Sequence, residues 1–317
     1  MTDIAANLAL PTVVIVGVGK AGTTSLFWYL SQHPDVCASD VKEIRYFTAL
    51  SEGDRALAPI EEYAAHFDRC GAELHRLEAS PQYFHGGAAV ASTMGETLPG
   101  VKVIVLLRDP VDRLWSTFRF MRTRLADLPA DMTFEGYVEA CRVVRERREA
   151  PSSENLRYWT LQGGFYDEYL DPWLETFTDR FRVVFFERMT ADPVATVRDL
   201  SGWLGIDPAA ADSITYSVEN KTVPVRSAAL QRLALALNSE RVLGSRRKLK
   251  DPLRKMYYAL NRRPEPEHMA PETRFALQDL FAPGNAALAR RLRAIGYADL
   301  PGWLPAGATD GRQEVAR

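Results

Sequence analysis

The segment Gly17–Ser25 restricts the fold of this chain more than any other part of its sequence. It contains three glycines, one lysine and three consecutive hydroxyl residues, and it joins the apolar run Pro11–Gly17 to a helical pattern over Thr23–Gln32. Glycines let the backbone turn tightly, so that its N–H groups and the N-terminus of the helix converge on one anion. A plain strand–helix turn needs only one glycine. The pattern therefore predicts a phosphate-binding loop between a buried strand and a helix.

Two further apolar runs continue the same alternation. Val101–Leu107 and Arg182–Phe186 have the composition of buried strands, and helical patterns follow them over Val111–Arg124 and, approximately, Asp192–Leu204. Buried strands that alternate with helices form a parallel sheet with helices on both faces. The sequence therefore predicts an α/β fold, with a P-loop-like parallel central sheet and a helical C-terminal layer.

Length and composition are compatible with one domain. The chain has 317 residues, of which 46% are hydrophobic and 25% charged, as in ordinary globular proteins. We expect a core over about residues 11–222, a helical C-terminal layer over about 223–303 and a loose tail over 304–317. The net charge of −2 predicts no attraction of the whole molecule to nucleic acid, so an anion site must be a local patch.

The cysteines and the N-terminal sequence give a prediction of the cellular compartment. Cys37, Cys70 and Cys141 are few, odd in number and not at metal-ligand spacing, which predicts a reducing cytoplasm and no disulfide framework. The apolar run Val13–Val16 is too short for a signal or anchor, and no stretch is long enough to span a membrane. We therefore expect a cytoplasmic protein, bacterial in style, without a transmembrane segment.

The loop differs from that of the nucleotide triphosphatases. Gly17 and Gly22 have the spacing of that motif, but Thr23 stands where its lysine should be, and Lys20 lies inside the loop. A γ-phosphate with Mg²⁺ would lack its usual lysine. A donor with fewer charges and no metal suits this loop better, and a nucleotide kinase or NTPase is the alternative interpretation.

Two motifs resemble those of a known enzyme family. Lys20–Ser25 is similar to the 5′-phosphosulfate loop of the sulfotransferases that use 3′-phosphoadenosine 5′-phosphosulfate (PAPS). Val103–Ser116 resembles that family's 3′-phosphate motif, in which an arginine is followed, eight residues later, by a serine. Both motifs lie in the family's order and separation, within a resemblance that covers about Pro11–Asn220.

The resemblance implies transfer of a sulfuryl group from PAPS to an acceptor by in-line displacement, without a metal. The acceptor would be a hydroxyl or an amine of a carbohydrate, a lipid or a natural product, and adenosine 3′,5′-bisphosphate (PAP) would be released. Lys20 would be catalytic, because its charge can stabilise the bridging oxygen as it becomes a phosphate oxygen. The donor would be bound by Lys20, Ala21, Gly22, Thr23, Thr24, Ser25, Arg108, Ser116, Tyr166, Lys221 and Arg226.

A second group of residues resembles the heparan sulfate and bacterial carbohydrate or natural-product branch of the family. Lys42–Phe47 is similar to a segment in which a glutamate base, here Glu43, precedes a phenylalanine by four residues. Partial burial would raise the pKa of Glu43 and suit it to accept a proton. The alternative is an ordinary surface pair with Lys42, in which case His85 is the next candidate for the base.

Two departures from this branch concern the acceptor. Glu78–Phe84 resembles the Ser-Pro-x-Tyr-Phe element of the branch, but Ala79 stands where some members carry a lysine, and Arg45 where some carry a histidine. A catalytically degenerate protein that only binds the nucleotide and serves in interactions is therefore the non-enzymatic alternative.

The segment Arg241–Arg263 is strongly basic. It holds nine basic residues and one acidic residue, with apolar residues at helical spacing. This pattern predicts a helix with one apolar and one basic face. Such a helix could be a lid over the acceptor, a contact with a membrane surface or a solvated outer helix.

Overall fold

The computed structural model describes residues 8–51, 56–125, 127–129, 131–149, 155–217 and 268–306. The chain divides into two compact units. The first comprises Met1–Pro110, Phe165–Glu219 and Gln278–Arg317, and the second comprises Val111–Gly164 and Asn220–Leu277. The expected division into core, helical layer and tail stays a prediction.

A five-stranded parallel sheet forms the centre of the first unit. Its strands are β1 (Val13–Gly17), β2 (Val36–Ala38), β3 (His75–Ala79), β4 (Lys102–Leu107) and β5 (Phe181–Phe185), in the order β2-β3-β1-β4-β5. Every residue of β1 is buried, as expected for a strand covered on both faces. Because β1 lies between β3 and β4, the segments that follow these three strands begin at the same edge of the sheet.

Helices alternate with the parallel strands along the chain, which confirms the predicted α/β fold. The helices of the first unit are α1 (Thr23–Leu30), α2 (Thr48–Ser51), α3 (Ile60–Ala65), α4 (Gly87–Thr97), α7 (Leu170–Phe177), α8 (Phe186–Ala191) and α9 (Pro193–Leu204). Helices α5 (Pro110–Phe120, apart from its first residue) and α6 (Phe134–Glu146) belong to the second unit, and α10 (Pro271–Ala294) has residues in both. The 24-residue helix α10 lies within the predicted C-terminal layer. None of the helices in the described ranges is both long and apolar enough to cross a lipid bilayer.

The predicted elements agree with the structure except at their ends. Helix α1 ends at Leu30, two residues before the predicted end, and α5 gives way to a π-helical turn over Met121–Leu125. Helix α9 begins where the sequence predicts, since the Asp192 side chain accepts a hydrogen bond from the backbone of Ala195 and caps the helix. The basic segment Arg241–Arg263 lies outside the described residues.

The second unit, where described, is organised around an aromatic cluster. Trp115 and Phe118 on α5 pack against Phe134 and Tyr137 on α6, with ring centroids 4.8 Å apart for Trp115 and Phe134 and 5.4 Å apart for Phe118 and Tyr137. The cluster explains why these two amphipathic helices form, since each buries its aromatic side on the other.

The predicted absence of a disulfide is wrong. Cys37 on β2 and Cys70, which follows α3, form a disulfide with a Cα–Cα distance of 5.6 Å. The two cysteines are 33 residues apart, and the fold of the intervening chain brings them together. Disulfides persist in oxidising surroundings, so the cysteine content no longer supports a reducing compartment. Cys141 is a buried thiol.

Candidate active site

Two glycines let the loop after β1 pack closely against its surroundings. Gly22 has a φ of +87°, and a Cβ atom there would lie 2.5 Å from Cε of Met189 and 3.0 Å from the Phe186 ring. A Cβ atom at Gly17 would lie 2.7 Å from Cβ of Phe84. Larger residues would therefore clash at both positions, and the left-handed conformation of Gly22 would strain them further. The packing therefore requires two of the three glycines on which the loop prediction rests, whereas a Cβ atom at Gly19 would meet no atom within 4 Å.

The loop leads into the N-terminus of α1. Gly22 is the N-cap, no side chain in the described ranges caps this helix, and its first turn carries no acidic residue. Thr23 and Ser25 are buried, and the half-buried Lys20 has a φ of +69°. The first N–H groups of a helix lack intrahelical acceptors, and its dipole favours negative charge nearby. The backbone, the hydroxyls and the lysine thus form a suitable binding site for an anion.

Arg108 directly follows β4 and contacts this loop. Its guanidinium donates a hydrogen bond to the carbonyl oxygen of Lys20 at 3.1 Å and lies 4.4 Å from the centre of the Phe186 ring. The hydroxyl of Tyr166, a buried residue, donates to the carbonyl oxygen of Arg108 at 2.9 Å. The structure therefore brings together Lys20, Arg108 and Tyr166, which are far apart in the sequence.

Glu43 lies in the segment that follows β2 and is fixed against the end of β3. Its backbone N–H donates to the carbonyl oxygen of Ala79 at 3.0 Å, and its φ is +68°. Lys42 Nζ lies 2.9 Å from Oε1 of Glu43, and a guanidinium nitrogen of Arg45 lies 2.8 Å from Oε2. Ala79 and Arg45, the two departures from the branch, therefore both contact Glu43.

The expected rise in the pKa of Glu43 is wrong for this arrangement. Burial raises the pKa of the carboxyl, but the hydrogen bonds and charges of Arg45 and Lys42 outweigh burial and bring it below its usual value. The ion pair with Lys42, which was the alternative interpretation, is present. The role of Glu43 as base stays a prediction.

Sequence reasoning missed Glu78 on β3. Its side chain is fully buried, and burial raises its pKa to about 7, against hydrogen bonds from Ser80, Tyr63 and Tyr83 that lower it. The one available signal was a glutamate among buried residues, three positions before the proline of the Ser-Pro-x-Tyr-Phe element. His85 follows this element, and its ring lies 5.1 Å from that of Tyr169.

Three of the predicted donor-binding residues are not joined to this site. Arg108 belongs to the first unit and Ser116, on α5, to the second, so their pairing stays a prediction. Lys221 and Arg226 lie outside the described residues.

Over the ranges that the structure describes, no three His, Cys, Asp or Glu residues are grouped so that they could hold a metal ion.

A model of the sulfotransferase domain matches residues 10–224, which include the loop, Glu43, Glu78 and Arg108. The chain belongs to the sulfotransferase family. The predicted resemblance to this family is thereby confirmed, and both motifs on which it rests lie inside the matched range. The roles of their residues in binding the donor stay predictions.

Curated relatives of the chain include heparan sulfate and carbohydrate sulfotransferases. The mouse heparan sulfate glucosamine 3-O-sulfotransferase 3B1 is 26% identical over 226 residues, which cover 69% of this chain and 52% of the mouse protein. The chain spans about half, or less, of the length of the curated relatives that it matches, from 22% to 52%.

Solved sulfotransferases share the fold. A sulfotransferase from Alicyclobacillus acidocaldarius has a TM-score of 0.64 at 24% identity, with 93% of this chain and 99% of that one covered. The mouse sulfotransferase SULT7A1 complexed with PAP has a TM-score of 0.50 at 17% identity, with 90% of this chain and 88% of that one covered.

Proposed function

We propose that this chain transfers the sulfuryl group of PAPS to an acceptor hydroxyl or amine and releases PAP. The observation that carries the proposal is the arrangement at the edge of the sheet. The loop after β1, which contains Gly17 and Gly22, leads into a helix N-terminus that no side chain of the described residues caps, and Arg108 at the end of β4 hydrogen-bonds to the same loop. An anion can therefore be bound by backbone N–H groups, hydroxyls and cations together.

The donor is a substrate with two anionic ends, and the residues of the first unit suit both. Lys20 and Thr23–Ser25 would bind the 5′-phosphosulfate, while Arg108 would bind the 3′-phosphate, with Ser116, Lys221 and Arg226 as its predicted partners. Tyr166 would lie beside the adenine. The PAP complex of the mouse sulfotransferase SULT7A1 supports this choice of donor.

The transfer step requires a base and a cation. Glu43 would take the proton of the acceptor as its oxygen or nitrogen bonds to sulfur, and the bond from sulfur to the bridging oxygen breaks in line. Lys20 would stabilise the negative charge that develops on that oxygen, without a metal ion. The proton ends on Glu43 and the electron pair of the broken bond on PAP.

The salt bridges of Glu43 shape its role as base. A carboxylate held by Lys42 and Arg45 is ionised at neutral pH but weakly basic. The Arg45 side chain is 56% exposed and can move away at little cost. We propose that an acceptor hydroxyl or amine displaces this guanidinium from Glu43, which then becomes more basic as the acceptor binds.

The names of the curated relatives support a carbohydrate acceptor, and lipid or natural-product acceptors fit the same chemistry. The test is incubation with ³⁵S-labelled PAPS and a panel of heparan sulfate, N-desulfated heparan sulfate, a sterol and a phenol. We expect a labelled product with at least one acceptor, and its mass spectrum identifies the modified atom. No labelled product and no acceptor-dependent release of PAP would contradict the proposal.

Calorimetry with PAP and with ATP plus Mg²⁺ distinguishes the proposed sulfotransferase from the alternative functions. We expect PAP to bind without metal and ATP with Mg²⁺ to bind weakly or not at all, because Thr23 stands where the lysine of a nucleotide triphosphatase would be. The reverse preference would favour a kinase or NTPase. Tight PAP binding without turnover on any acceptor would favour a degenerate binding protein.

A further inference from the structure

The buried carboxylate of Glu78 is the centre of a hydrogen-bond network beneath the segment that carries Glu43. Ser80 Oγ donates to Oε1 of Glu78 at 2.5 Å, and Tyr63 Oη donates to Oε2 at 2.8 Å. The nearby hydroxyl of Tyr83 also lowers the pKa of this carboxyl. Glu78 and Ser80 are fully buried, as are the two tyrosines to within 1%. Two hydroxyls thus donate to one buried carboxylate, and a third interacts with it.

Each of the three hydroxyl residues also contacts residues 45–47. Ser80 Oγ accepts a hydrogen bond from the backbone N–H of Arg45 at 3.0 Å, and Tyr83 Oη accepts one from the backbone N–H of Phe47 at 3.3 Å. The Tyr63 ring is stacked on that of Tyr46, with centroids 4.3 Å apart and planes 2° apart. Every path from the Glu78 carboxylate therefore reaches the same short stretch of chain.

That stretch needs external support. Glu43 and Arg45 both have left-handed backbone conformations, with φ of +68° and +63°, which are costly for residues with a side chain. Such conformations persist only where the surroundings fix them. Here the fixing contacts are the bond of Glu43 N–H to Ala79 and the bonds of Arg45 and Phe47 to the hydroxyls.

A buried carboxylate is a poor way to stabilise a core. Removing its charge from water is costly, and apolar residues of similar volume are often at least as stable. A requirement for oriented hydrogen bonds explains Glu78 better, because a carboxylate accepts several donors and so fixes the directions in which the hydroxyls present their lone pairs.

We propose that Glu78 is a positioning residue, which acts through Ser80, Tyr63 and Tyr83 to hold residues 43–47 so that the Glu43 carboxylate faces the acceptor. The inference rests on the proposed function, because it takes Glu43 as the base. Glu78 itself is buried beneath the segment and does not touch the substrates.

The experiment uses four variants of the full chain. Ser80→Ala removes the link between Glu78 and the Arg45 N–H, whereas Ser80→Thr keeps the hydroxyl. Ser201→Ala is the matched control, since Ser201 is a fully buried serine on α9 whose hydroxyl has no hydrogen-bond partner among the residues that the structure describes. Tyr63→Phe removes one hydroxyl but keeps the stacking of the residue 63 ring on Tyr46. It replaces Ser80→Ala in the experiment if that variant does not fold. Binding of PAP is measured for each variant to show that it is folded.

The first measurement is amide hydrogen exchange over residues 43–47 and does not depend on the proposed function. Loss of one hydrogen bond predicts roughly 2- to 10-fold faster exchange at Arg45 in Ser80→Ala. The second is transfer from ³⁵S-labelled PAPS to the acceptor found in the panel. Misplacing the base by about 1 Å predicts a kcat roughly 10- to 100-fold lower, with KM for PAPS within twofold of the wild type. Ser80→Thr should recover most of both losses, and Ser201→Ala should change neither.

Several results would overturn the inference. Unchanged exchange at Arg45 in Ser80→Ala would show that the network does not hold the segment. Equal losses of kcat and of PAP affinity, or no recovery in a folded Ser80→Thr variant, would show a general role in stability. If the wild type transfers no sulfuryl group at all, the proposed function fails. The catalytic part of the inference then fails with it, and the exchange data alone decide whether Glu78 holds the segment.

Discussion

At the scale of single residues, Glu43 and Arg108 have opposite tasks. Arg108 is a cation whose side chain is held by its hydrogen bond to the Lys20 carbonyl and by its contact with the Phe186 ring. In the proposed reaction Glu43 must change its protonation state, yet two neighbouring cations stabilise its ionised form. We therefore propose that the first residue serves binding and that the second serves the chemical step.

Replacement of Glu43 tests the base. Glu43→Gln keeps the shape but cannot take a proton, so kcat should fall by roughly 10²- to 10⁴-fold while PAP affinity barely changes. Glu96→Gln, on the exposed face of α4, is the control and should keep its activity. Because the pKa of Glu43 is lowered, the free enzyme should lose kcat/KM through this group only below about pH 4.5, as acid protonates it. Near-normal turnover of Glu43→Gln would make His85 the next candidate.

Replacement of Arg108 tests the 3′-phosphate site. Arg108→Ala removes a charge-assisted contact, so PAP should bind more weakly by roughly 1.5–3 kcal/mol, or about 10- to 150-fold. Arg198→Ala, in the exposed pair with Asp212, is the control and should bind PAP as the wild type does. Calorimetry measures both. Wild-type affinity in Arg108→Ala would remove Arg108 from the site.

At the scale of elements, the site is built where β1, β3 and β4 end. The loop after β1 is the proposed anion site, Arg108 follows the end of β4, and Glu78 and Ser80 lie at the end of β3, close to the segment that carries Glu43. Parallel strands that end at one edge of a sheet bring together residues that are distant in the chain. A substitution at the end of one of these strands can therefore affect either the binding of the donor or the position of the proposed base.

The role of Gly22 at the N-cap of α1 can be tested by comparison with Gly205, a second glycine with a similar backbone conformation. Gly22→Ala places a Cβ atom 2.5 Å from Met189 Cε, whereas Gly205→Ala has the same kind of backbone, with φ of +84°, and open space around it. Left-handed strain alone should cost about 1–2 kcal/mol in Gly205→Ala. Gly22→Ala should lose about 1–3 kcal/mol more through the clash and should bind PAP poorly. Urea unfolding and calorimetry measure the two effects, and equal losses in both variants would contradict the packing argument.

Burial of Glu78 on β3 predicts a dependence of stability on pH. Its pKa is raised from 4.5 to about 7, mainly by burial, so the folded protein keeps this proton after the unfolded chain has released it. The contribution of Glu78 to stability is therefore greatest below pH 4.5, falls as pH rises to 7 and is constant above that. The fall amounts to roughly 3 kcal/mol. Glu78→Gln should remove it, as measured by urea unfolding at pH 5 and pH 8. The same pH dependence in variant and wild type would contradict this pKa.

At the scale of the whole molecule, the range matched by the family model includes the candidate anion site. The matched residues 10–224 contain every element that builds the site in the first unit, up to β5 and α8. The relatives in the curated set are longer proteins, of which this chain spans about half or less. The transfer reaction is thus proposed for the part of the chain that carries the site.

Removal of metal tests the reaction as a whole. Because Lys20 can supply the charge that Mg²⁺ supplies in a kinase, EDTA should leave kcat within about twofold of its value without chelator. Lys20→Ala should lower kcat far more than PAP affinity, since the charge on the bridging oxygen develops mainly in the transition state. Activity that EDTA abolishes and Mg²⁺ restores would revive the NTPase interpretation.

The sequence by itself determined those features that depend on neighbouring residues. The β-branched runs of β1, β4 and β5, the glycines of the loop and the start of the helix near Asp192 are local patterns, and each was predicted to within a few residues. The two anion-binding motifs also pointed to the sulfotransferase family, because their residue types and spacing are specific.

Only the tertiary structure decided what depends on contacts between distant segments. Strand β3 was missed because Glu78 interrupts its apolar pattern, and this glutamate is tolerated only where Ser80, Tyr63 and Tyr83 surround it. The Cys37–Cys70 disulfide likewise forms because the fold of the intervening chain brings the two cysteines together. The lowered pKa of Glu43 follows from where Arg45 and Lys42 place their charges. Hydrogen bonds and charges act over a few ångströms in space, and separation along a chain does not reveal such distances.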